Sequence, residues 1–296
     1  MIIVKLMGGV GNQMFQYAAG RALADRLNTV LKMDISGFAA PVWTTPRAYQ
    51  LDQLSITAGV ASDSELHAVA ASTRKLSGMT WLGKLAGALR RRADLTIYNE
   101  TPNCFDSHFM SLQNNTYLCG YWQSQMYFQD ISDVVRREFQ PCAPWSQRNL
   151  ELAAQISATD SISVHVRRGD YVNDESARMI HGVCTLDFYQ ACMRQIECVT
   201  EAPHYYVFSD EPQWARDNIK TAFPITIVDH NDPHNAVFDI KLMSLCKHNI
   251  IANSSFSWWG AWLNTNPGKI VFAPSKWFCR KEAKDLLPHS WVKVEP

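Results

Sequence analysis

Two arginines and an aspartate follow an apolar run in the segment HVRRGDYV, residues 165–172. The residues before it alternate apolar and polar side chains, a pattern typical of a β-strand. Arg167, Arg168 and Asp170 therefore fall just past a strand end, where open α/β sheets bind ligands. Because an arginine fork matches phosphate oxygens at two points and stays charged, the segment predicts an anion site. The alternative is a solvated loop with a local Arg–Asp pair.

His165 and Asp170 in this segment each allow two interpretations. His165 can bond to a base or a ribose, or it can be an ordinary strand histidine. Asp170 can orient an arginine or act on a substrate hydroxyl, or it can cap the loop. The local sequence leaves both alternatives open.

A glycine-rich turn, GGVGNQ at residues 8–13, separates a predicted strand at 2–6 from a predicted helix at 14–27. Glycines at such a junction let backbone N–H groups approach an anion at the helix N-terminus. The third glycine of a dinucleotide fingerprint is missing, and no Gly-Lys-Ser/Thr follows as in a Walker A loop. The turn is therefore either an anion-binding loop or a tight strand–helix connection.

The segment VFSDEP, residues 207–212, places a serine and two acidic residues after another predicted strand. Carboxylates at that position can accept hydrogen bonds from ribose hydroxyls or guanine N–H groups. The segment also has the pattern of a helix start, with Ser209 or Asp210 as the cap and Pro212 at the first helical position. Both interpretations can hold together.

In IIANSSFSWWGAW, residues 250–262, a buried strand leads through small hydroxylated residues into an aromatic helix. Ser254, Ser255 and Phe256 offer backbone N–H groups and hydroxyls to a phosphate at the helix N-terminus. The helical spacing of the three tryptophans assigns them to the core. The sequence has no H-E-x-x-H, no G-x-S-x-G and no Asp-x-Asp, the pair with which many sugar-nucleotide enzymes hold a divalent ion.

Alternating strands and helices must position these segments, which predicts two Rossmann-like lobes with parallel sheets facing a central cleft. We place the N-terminal lobe at 1–145 and the C-terminal lobe at 146–296. Strands are predicted at 2–6, 29–34, 116–121, 161–166, 204–208, 226–228, 249–252 and 270–273. Helices are predicted at 14–27, 62–77, 82–92, 130–139, 185–198, 213–221, 235–247 and from 255.

The composition fits a soluble, cytoplasmic α/β protein. The chain has 296 residues, 47% of them hydrophobic, and 28 basic residues balance 28 acidic ones, which argues against a broad nucleic-acid footprint. Its eight cysteines are scattered without a C-x-x-C, so we expect thiols of a reducing compartment and neither a zinc nor a redox site. We expect no signal peptide and no membrane span.

With these segments the chain resembles the bacterial α-1,2-fucosyltransferases of glycosyltransferase family eleven. The matching pieces occur in the family's order over most of the chain; they are GGVGNQMFQYAAGRALA (8–24), GYWQSQMYF (120–128), HVRRGDYV (165–172), FSDEPQWA (208–215) and CKHNIIANSSFSWWGAWLN (246–264). The resemblance implies a GT-B fold, GDP-L-fucose as the donor and no required metal or other cofactor. It implies transfer, with inversion, to the 2-hydroxyl of a terminal galactose.

The resemblance also implies roles for individual residues. Arg167 would hold the β-phosphate, His165 would lie near the nucleoside, the 209–211 loop would meet guanine or ribose, and the 9–13 loop would close over fucose and pyrophosphate. Many relatives carry two aspartates where this chain has Asp210 and Glu211, so either residue can read guanine. The residues assigned to substrate binding are Gly9, Gly11, Asn12, Gln13, His165, Arg168, Ser209, Asp210, Glu211, Asn253, Ser254, Ser255 and Phe256.

The expected chemistry follows from charge. The fucose–phosphate bond breaks through an oxocarbenium-like state, and negative charge builds on GDP. Without a metal a fixed cation must stabilise that charge, and Arg167 fits the need. A general base for the acceptor hydroxyl would be Asp170 first and Glu175 second, although a strongly dissociative step needs little base help.

Three rival functions remain at this stage: the same donor with another linkage or acceptor, a non-catalytic nucleotide- or sugar-binding protein, and a structural protein. The motifs of both lobes disfavour the last two. The irregular stretch 36–115 is expected to shape the acceptor pocket. The basic segment 89–92 is interpreted as a solvated helix face, with peripheral contact to the inner membrane and a lipid-linked acceptor as the alternative.

Overall fold

A computed structural model describes residues 1–39, 47–78, 95–101 and 104–296, with the backbone alone at 72–78. The chain forms two compact units. The first consists of Met1–Leu51 and Ile56–Glu138, and the second of Asp52–Ser55 and Phe139–Pro296. The short segment Asp52–Ser55 belongs to the second unit because its backbone bonds to residues 140–142. The sequence placed the change of unit at residue 145, a few residues later than the structure does.

The first unit is a parallel five-stranded sheet in the order β3-β2-β1-β5-β4. Its strands are β1 (Ile2–Lys5), β2 (Leu31–Asp34), β3 (Gly59–Val60), β4 (Thr96–Asn99) and β5 (Thr116–Cys119). Its helices are α1 (Val10–Arg26), α2 (Asp63–Gly78) and α3 (Ser132–Glu138). The chain leaves β1 toward β2, whereas β5 pairs with the other side of β1, so the topological switch point lies between β1 and β5.

The second unit is a parallel six-stranded sheet in the order β11-β10-β9-β6-β7-β8. Its strands are β6 (Asp160–Val166), β7 (Pro203–Ser209), β8 (Ile225–Val228), β9 (His248–Ile250), β10 (Val271–Pro274) and β11 (Val292–Val294). Its helices are α4 (Gln147–Ala158), α5 (Gly169–Asn173), α6 (Glu175–His181), α7 (Leu186–Glu197), α8 (Pro212–Asn218), α9 (Ala236–Leu245) and α10 (Ser255–Leu263). This is the doubly wound dinucleotide-fold order, and its switch point lies between β6 and β9.

Helix α7 shows how the sequence builds the core of the second unit. Thr185 caps the helix, because its hydroxyl accepts the N–H of Phe188 at 3.2 Å. The apolar side chains recur every three or four residues and pack on the buried faces of β6 and β7. Burial of such a stripe is worth about 1.5–3 kcal/mol per large side chain, so the sheet is held firmly under its loops.

The fold class predicted from the sequence, α/β with two Rossmann-like units and parallel sheets, is confirmed. The strands and helices predicted after residue 160 lie within a few residues of those observed. Helix α1 begins at Val10, four residues earlier than predicted, so residues 11–13 are helical and not a loop. The sequence did not predict β3, β4, β11, α4, α5 or α6, and the predicted basic helix at 82–92 lies outside the described residues.

All eight cysteines are free thiols. Within the described ranges, no helix is long and apolar enough to cross a membrane.

Candidate active site

The charged segments found in the sequence converge at the carboxyl edge of the second sheet. Arg167 and Arg168 follow β6, Ser209–Glu211 end β7 and begin α8, and Asn253–Phe256 connect β9 to α10. The rings of His165 and Phe256 lie 5.3 Å apart, so the segments after β6 and β9 meet at the switch point. Open α/β sheets bind ligands at this position.

Arg167 lies between two carboxylates. Its Nη2 is 2.5 Å from Asp170 Oδ1 and its Nη1 is 3.1 Å from Asp210 Oδ2. Its guanidinium also lies 5.4 Å from the centroid of the Tyr171 ring. Burial alone would lower the pKa of Arg167, but Asp210 and Asp170 raise it, so the cation is fixed in charge and direction.

Arg168 has different partners from those of Arg167. Its Nε lies 3.1 Å from Glu211 Oε2, and its guanidinium lies 4.1 Å from the centroid of the Trp214 ring. The pairing and the stacking fix the guanidinium in place, and the ion pair with Glu211 uses only its Nε–H. Arg168 therefore holds the start of α8 in place, and its contact with substrate stays a prediction.

Asp210 connects the two arginines. Its Oδ1 accepts the backbone N–H of Arg168 at 3.0 Å, while its Oδ2 pairs with Arg167. Gly169 allows this approach, because a Cβ at that position would lie 2.6 Å from Asp210 Oδ2. Burial raises the pKa of Asp210, and Arg167 opposes that shift. Asp210 therefore holds the two arginines together.

The start of α8 differs in detail from the prediction. Pro212 is the first helical residue, as predicted, but the cap is Glu211, not Ser209 or Asp210. Ser209 instead accepts the N–H of Glu211 through its hydroxyl at 3.0 Å. This bond tightens the turn that presents Asp210 and Glu211.

His165 is buried at 4% exposure, and its Nδ1 has no hydrogen-bond partner within the described part of the chain. Burial, with Arg167 as a second cause, lowers the pKa of His165 to about 3. The imidazole is therefore neutral at physiological pH and offers one donor and one acceptor rather than a charge.

The segment after β9 begins with a buried residue, Asn253, and continues into the N-terminus of α10. Asn253 is buried, and its Nδ2 donates to the carbonyl of His181 at 2.7 Å and to that of Trp277 at 3.3 Å. Its Oδ1 accepts from the thiol of Cys184. Asn253 therefore positions neighbouring loops, and its contact with substrate stays a prediction.

Ser254, Ser255 and Phe256 form the N-terminus of α10. Ser254 is the cap residue but makes no side-chain cap bond, and the first turn contains no acidic residue. The N–H groups of this turn and the helix dipole are therefore free to favour an anion. The three tryptophans of α10 are buried, which confirms their assignment to the core.

Asp170 and Glu175, the two candidate bases, lie on short helices that the sequence did not predict. Asp170 is in the first turn of α5, against Arg167. Glu175 begins α6 and is exposed to solvent. The structure therefore includes Asp170 in the charged cluster and leaves Glu175 outside it.

In the first unit, the residues predicted to form an anion loop are the cap and first turn of α1. Gly9 is the cap, and Gly11, Asn12 and Gln13 are helical. Gln13 is fully buried, with its Nε2 donating to the carbonyls of Gly8 and Ala48 and its Oε1 accepting from Gln50. Asn12 remains partly exposed and accepts from Gln123 Nε2 at 2.8 Å. Gln13 is thus structural, and Asn12 is the group of this set that faces solvent.

Comparison with known proteins identifies the family. The family model for glycosyl transferase family 11 matches residues 96–295. The chain belongs to glycosyl transferase family 11. An alpha-1,2-colitosyltransferase of Escherichia coli is 33% identical over 100% of this chain and 99% of its own length. The O-antigen biosynthesis glycosyltransferase WbnK of the same species is 31% identical over 98% of this chain and 99% of its own.

More distant relatives of this family-11 chain include a galactoside 2-alpha-L-fucosyltransferase of Caenorhabditis elegans, 27% identical over 69% of this chain and 58% of its own length. A solved structure of an Arabidopsis thaliana FUT1 mutant in complex with GDP covers 98% of this chain and 76% of its own, with a TM-score of 0.50 and 12% identity. That likeness supports the GT-B fold. The protein is therefore a glycosyltransferase, as predicted.

Sequence reasoning missed several residues of this family-11 site. Tyr171 donates to the carbonyl of Asn253 at 3.3 Å, and its ring stacks on His181 with centroids 4.6 Å apart. Trp214, beneath Arg168, was likewise not singled out. These residues act through contacts between distant parts of the chain, for which one sequence contains no local signal.

Among the described residues, no three His, Cys, Asp or Glu side chains cluster as metal ligands would.

Proposed function

We propose that this protein transfers L-fucose from GDP-L-fucose to the 2-hydroxyl of a terminal galactose on a glycan, with inversion and without a required metal. The observation that carries the proposal is Arg167, a fixed cation at the switch point of the second sheet, close to the open N-terminus of α10. Relatives that are named for 2-linked transfer of fucose or of colitose support the linkage.

Arg167 is proposed to stabilise the leaving diphosphate. As the sugar–phosphate bond breaks, negative charge builds on the β-phosphate, and a preorganised cation lowers the barrier without reorganising. The N–H groups of Ser255 and Phe256 at the start of α10 would hold the other phosphate oxygens. Removal of one such group costs about 3 kcal/mol of barrier or more.

Neutral His165 and the acidic turn after β7 are proposed to bind the nucleoside. The orphan Nδ1 of His165 requires a partner in the complete site, and a ribose or base supplies one. Guanine presents N–H donors that a carboxylate accepts, and Asp210 or Glu211 can provide it. Both residues already pair with arginines, so they would read guanine with their remaining lone pairs.

Asp170 is proposed to orient Arg167 first, and to accept the proton of the acceptor hydroxyl only as a secondary role. Its carboxylate lies 2.5 Å from the guanidinium, so this oxygen is already engaged by the arginine. Glu175 is free of that pairing but lies on the exposed surface of α6. A dissociative transfer needs little base assistance, so neither group has to be a strong base.

Transfer of colitose is the second candidate, because the relative that is 33% identical over the whole chain is named for it. Colitose is L-fucose without its 3-hydroxyl. A site that hydrogen-bonds this hydroxyl rejects the deoxy sugar strongly, whereas an apolar site does not distinguish the two well. We propose that the reaction takes place in the cytoplasm, where a lipid-linked glycan can be the acceptor. The relative WbnK, which is named for O-antigen biosynthesis, supports a glycan acceptor.

The test combines purified protein, GDP-L-fucose, excess EDTA and a panel of terminal β-galactosides, with mass spectrometry of GDP release and of product. A matched 2-deoxygalactoside and parallel reactions with GDP-colitose complete the design. Fucosylated product in EDTA, absent with the 2-deoxy acceptor, supports the proposal. Release of GDP without product would overturn the galactose acceptor. Product from GDP-colitose alone would establish the second candidate, and failure to bind GDP would overturn both.

A further inference from the structure

The loop Gly120–Gln123, hereafter the 120–123 loop, lies at the switch point of the first sheet. It follows β5, which pairs with β1, and β1 leads into the start of α1. Gln123 Nε2 donates to Asn12 Oδ1 at 2.8 Å, so the loop and the helix start are joined by side chains. Its sequence, GYWQ, has no role in the function proposed above.

A carboxylate from the neighbouring strand clamps this loop. Glu100 follows β4, and its Oε2 and Oε1 accept the backbone N–H groups of Tyr121 at 2.6 Å and Trp122 at 2.7 Å. Burial raises the pKa of Glu100, and the backbone N–H groups, including that of Gln123, oppose this shift. Gly120 leaves room for the carboxylate, because a Cβ there would lie 2.3 Å from Glu100 Cβ.

The buried side chain of Trp122 anchors the 120–123 loop. It is fully buried and has a backbone φ of 55°, in the left-handed region that non-glycine residues rarely adopt. Its indole packs against the rings of Tyr98, Phe109 and Tyr127, with centroids 6.0, 5.2 and 5.4 Å away. The clamp and this packing together hold the strained residue in one conformation.

The clamped loop presents uncharged groups to solvent. Tyr121 is 38% exposed, and its partial burial, with Glu100 nearby, raises the pKa of Tyr121, so that the phenol stays protonated. Of the amide pair, Gln123 Oε1 remains as an acceptor and Asn12 Nδ2 as a donor, without a partner among the described residues. An aromatic side chain on the same loop as one donor and one acceptor is suited to a sugar, with its apolar face and vicinal hydroxyls.

We propose that Tyr121, Gln123 and Asn12 form a subsite for the uncharged acceptor sugar, and that Glu100 is the positioning residue that holds it in shape. The proposal rests on the proposed function for the identity of that sugar, a β-galactoside. Phosphate recognition is not favoured here, because no lysine or arginine is among the residues that form the clamp or the amide pair. Glu100 acts on the sugar only through the loop.

The experiment compares Tyr121→Ala, Gln123→Ala and Glu100→Gln with wild type in two assays. The first is steady-state transfer with separate KM values for GDP-L-fucose and for lactose. The second is saturation-transfer NMR of methyl β-D-galactoside binding, which requires no turnover. We expect the acceptor KM to rise at least about tenfold in each variant, with the donor KM changed less than about twofold. The galactoside NMR signal falls in parallel.

Glu65→Gln is the matched control, since Glu65 also accepts a backbone N–H, that of Ser62, but lies on α2. It should leave both KM values unchanged. A rise in donor KM without a rise in acceptor KM, or unchanged values in Tyr121→Ala and Gln123→Ala, would overturn the subsite. If wild type transfers no fucose, the proposed function fails, and the NMR assay still decides the subsite: no saturation transfer, or transfer that Tyr121→Ala leaves intact, overturns it.

Discussion

The two sheets present opposite chemistry at equivalent positions. At the switch point of the second sheet, Arg167 lies between Asp170 and Asp210 in a cluster of charges. At that of the first sheet, the carboxylate of Glu100 accepts backbone N–H groups, and the exposed side chains of the 120–123 loop are neutral. Charge at one site suits a diphosphate whose charge grows during reaction, and neutrality at the other suits a sugar.

Both switch points nevertheless use the same local device. A glycine that follows a strand by a few residues leaves space for a carboxylate from the neighbouring strand end. Gly169 faces Asp210 in the second unit, and Gly120 faces Glu100 in the first. A partly buried ion cluster is weak support for stability, because desolvation offsets much of the attraction. The charges of the second unit are therefore better explained by function than by folding.

The largest effect is expected from Arg167→Lys. Lysine keeps the charge but not the planar fork that spans Asp170 and Asp210, so the cation loses its fixed direction. We expect turnover to fall at least about 100-fold, as for loss of a preorganised donor, with little change in acceptor KM. Steady-state kinetics checks this, with Arg148→Lys on an exposed pair as the control. A variant with near-normal turnover would remove Arg167 from the mechanism.

Arg167→Ala is a poorer test than Arg167→Lys. It leaves Asp170 and Asp210, which are partly exposed, without their shared cation, so the fold is disturbed together with the site.

The two glycines provide the next test, because each substitution disturbs one switch point. In Gly169→Ala the new Cβ would displace Asp210 from the arginines, and in Gly120→Ala it would displace Glu100 from its loop. We expect the donor KM to rise about tenfold or more in the first variant, and the acceptor KM to rise as much in the second. Each substitution costs more than the loss of a single hydrogen bond to a charged group. Melting temperatures of both variants separate these effects from unfolding.

Equal effects of both glycine variants on both substrates would contradict the separation of roles. Gly59→Ala is the matched control, because a Cβ at Gly59 would meet no atom within 4 Å.

The sequence predicted more of the site in the second unit than of the site in the first. Period-two strands and spaced apolar helices predicted the second sheet, and three of its loops were found because charged or hydroxylated residues follow strands there. The pairing of Arg168 with Glu211 and the inward amide of Asn253 were not predictable, because they depend on which residues of separate strands become neighbours. In the first unit, Glu100 lies in a stretch without a recognisable motif, and its function appears only when β4 pairs with β5.

The neutral state of His165 gives a smaller, pH-dependent effect. Burial lowers its pKa to about 3, below its ordinary value, so the unfolded chain binds more protons than the folded one as pH falls through about 6.5. His165 therefore contributes stability at neutral pH that is lost on acidification. When the pH falls from about 7 to about 5, we expect the melting temperature of His165→Gln to fall less than that of wild type. The difference corresponds to about 1–2 kcal/mol in the free energy of unfolding.

Calorimetry at both pH values measures this difference, and His234→Gln on an exposed turn is the control. Equal acid sensitivity of wild type and His165→Gln would show that the imidazole is protonated in the folded protein.

The smallest effect is expected at Glu175, and it defines the limit of the charged cluster. Asp170 and Glu175 are five positions apart, yet only Asp170 contacts Arg167, whereas Glu175 lies exposed at the start of α6. Glu175→Gln should leave turnover within about twofold of the wild-type value, as is usual for surface changes. Asp170→Asn should lower turnover at least about tenfold, because it frees the arginine. A pH–rate profile separates the two roles of Asp170, since loss of a base removes the acidic limb and loss of an orienting group does not. If Glu175→Gln is as damaging as Asp170→Asn, the proton acceptor lies on α6, and the charged site extends beyond the strand ends.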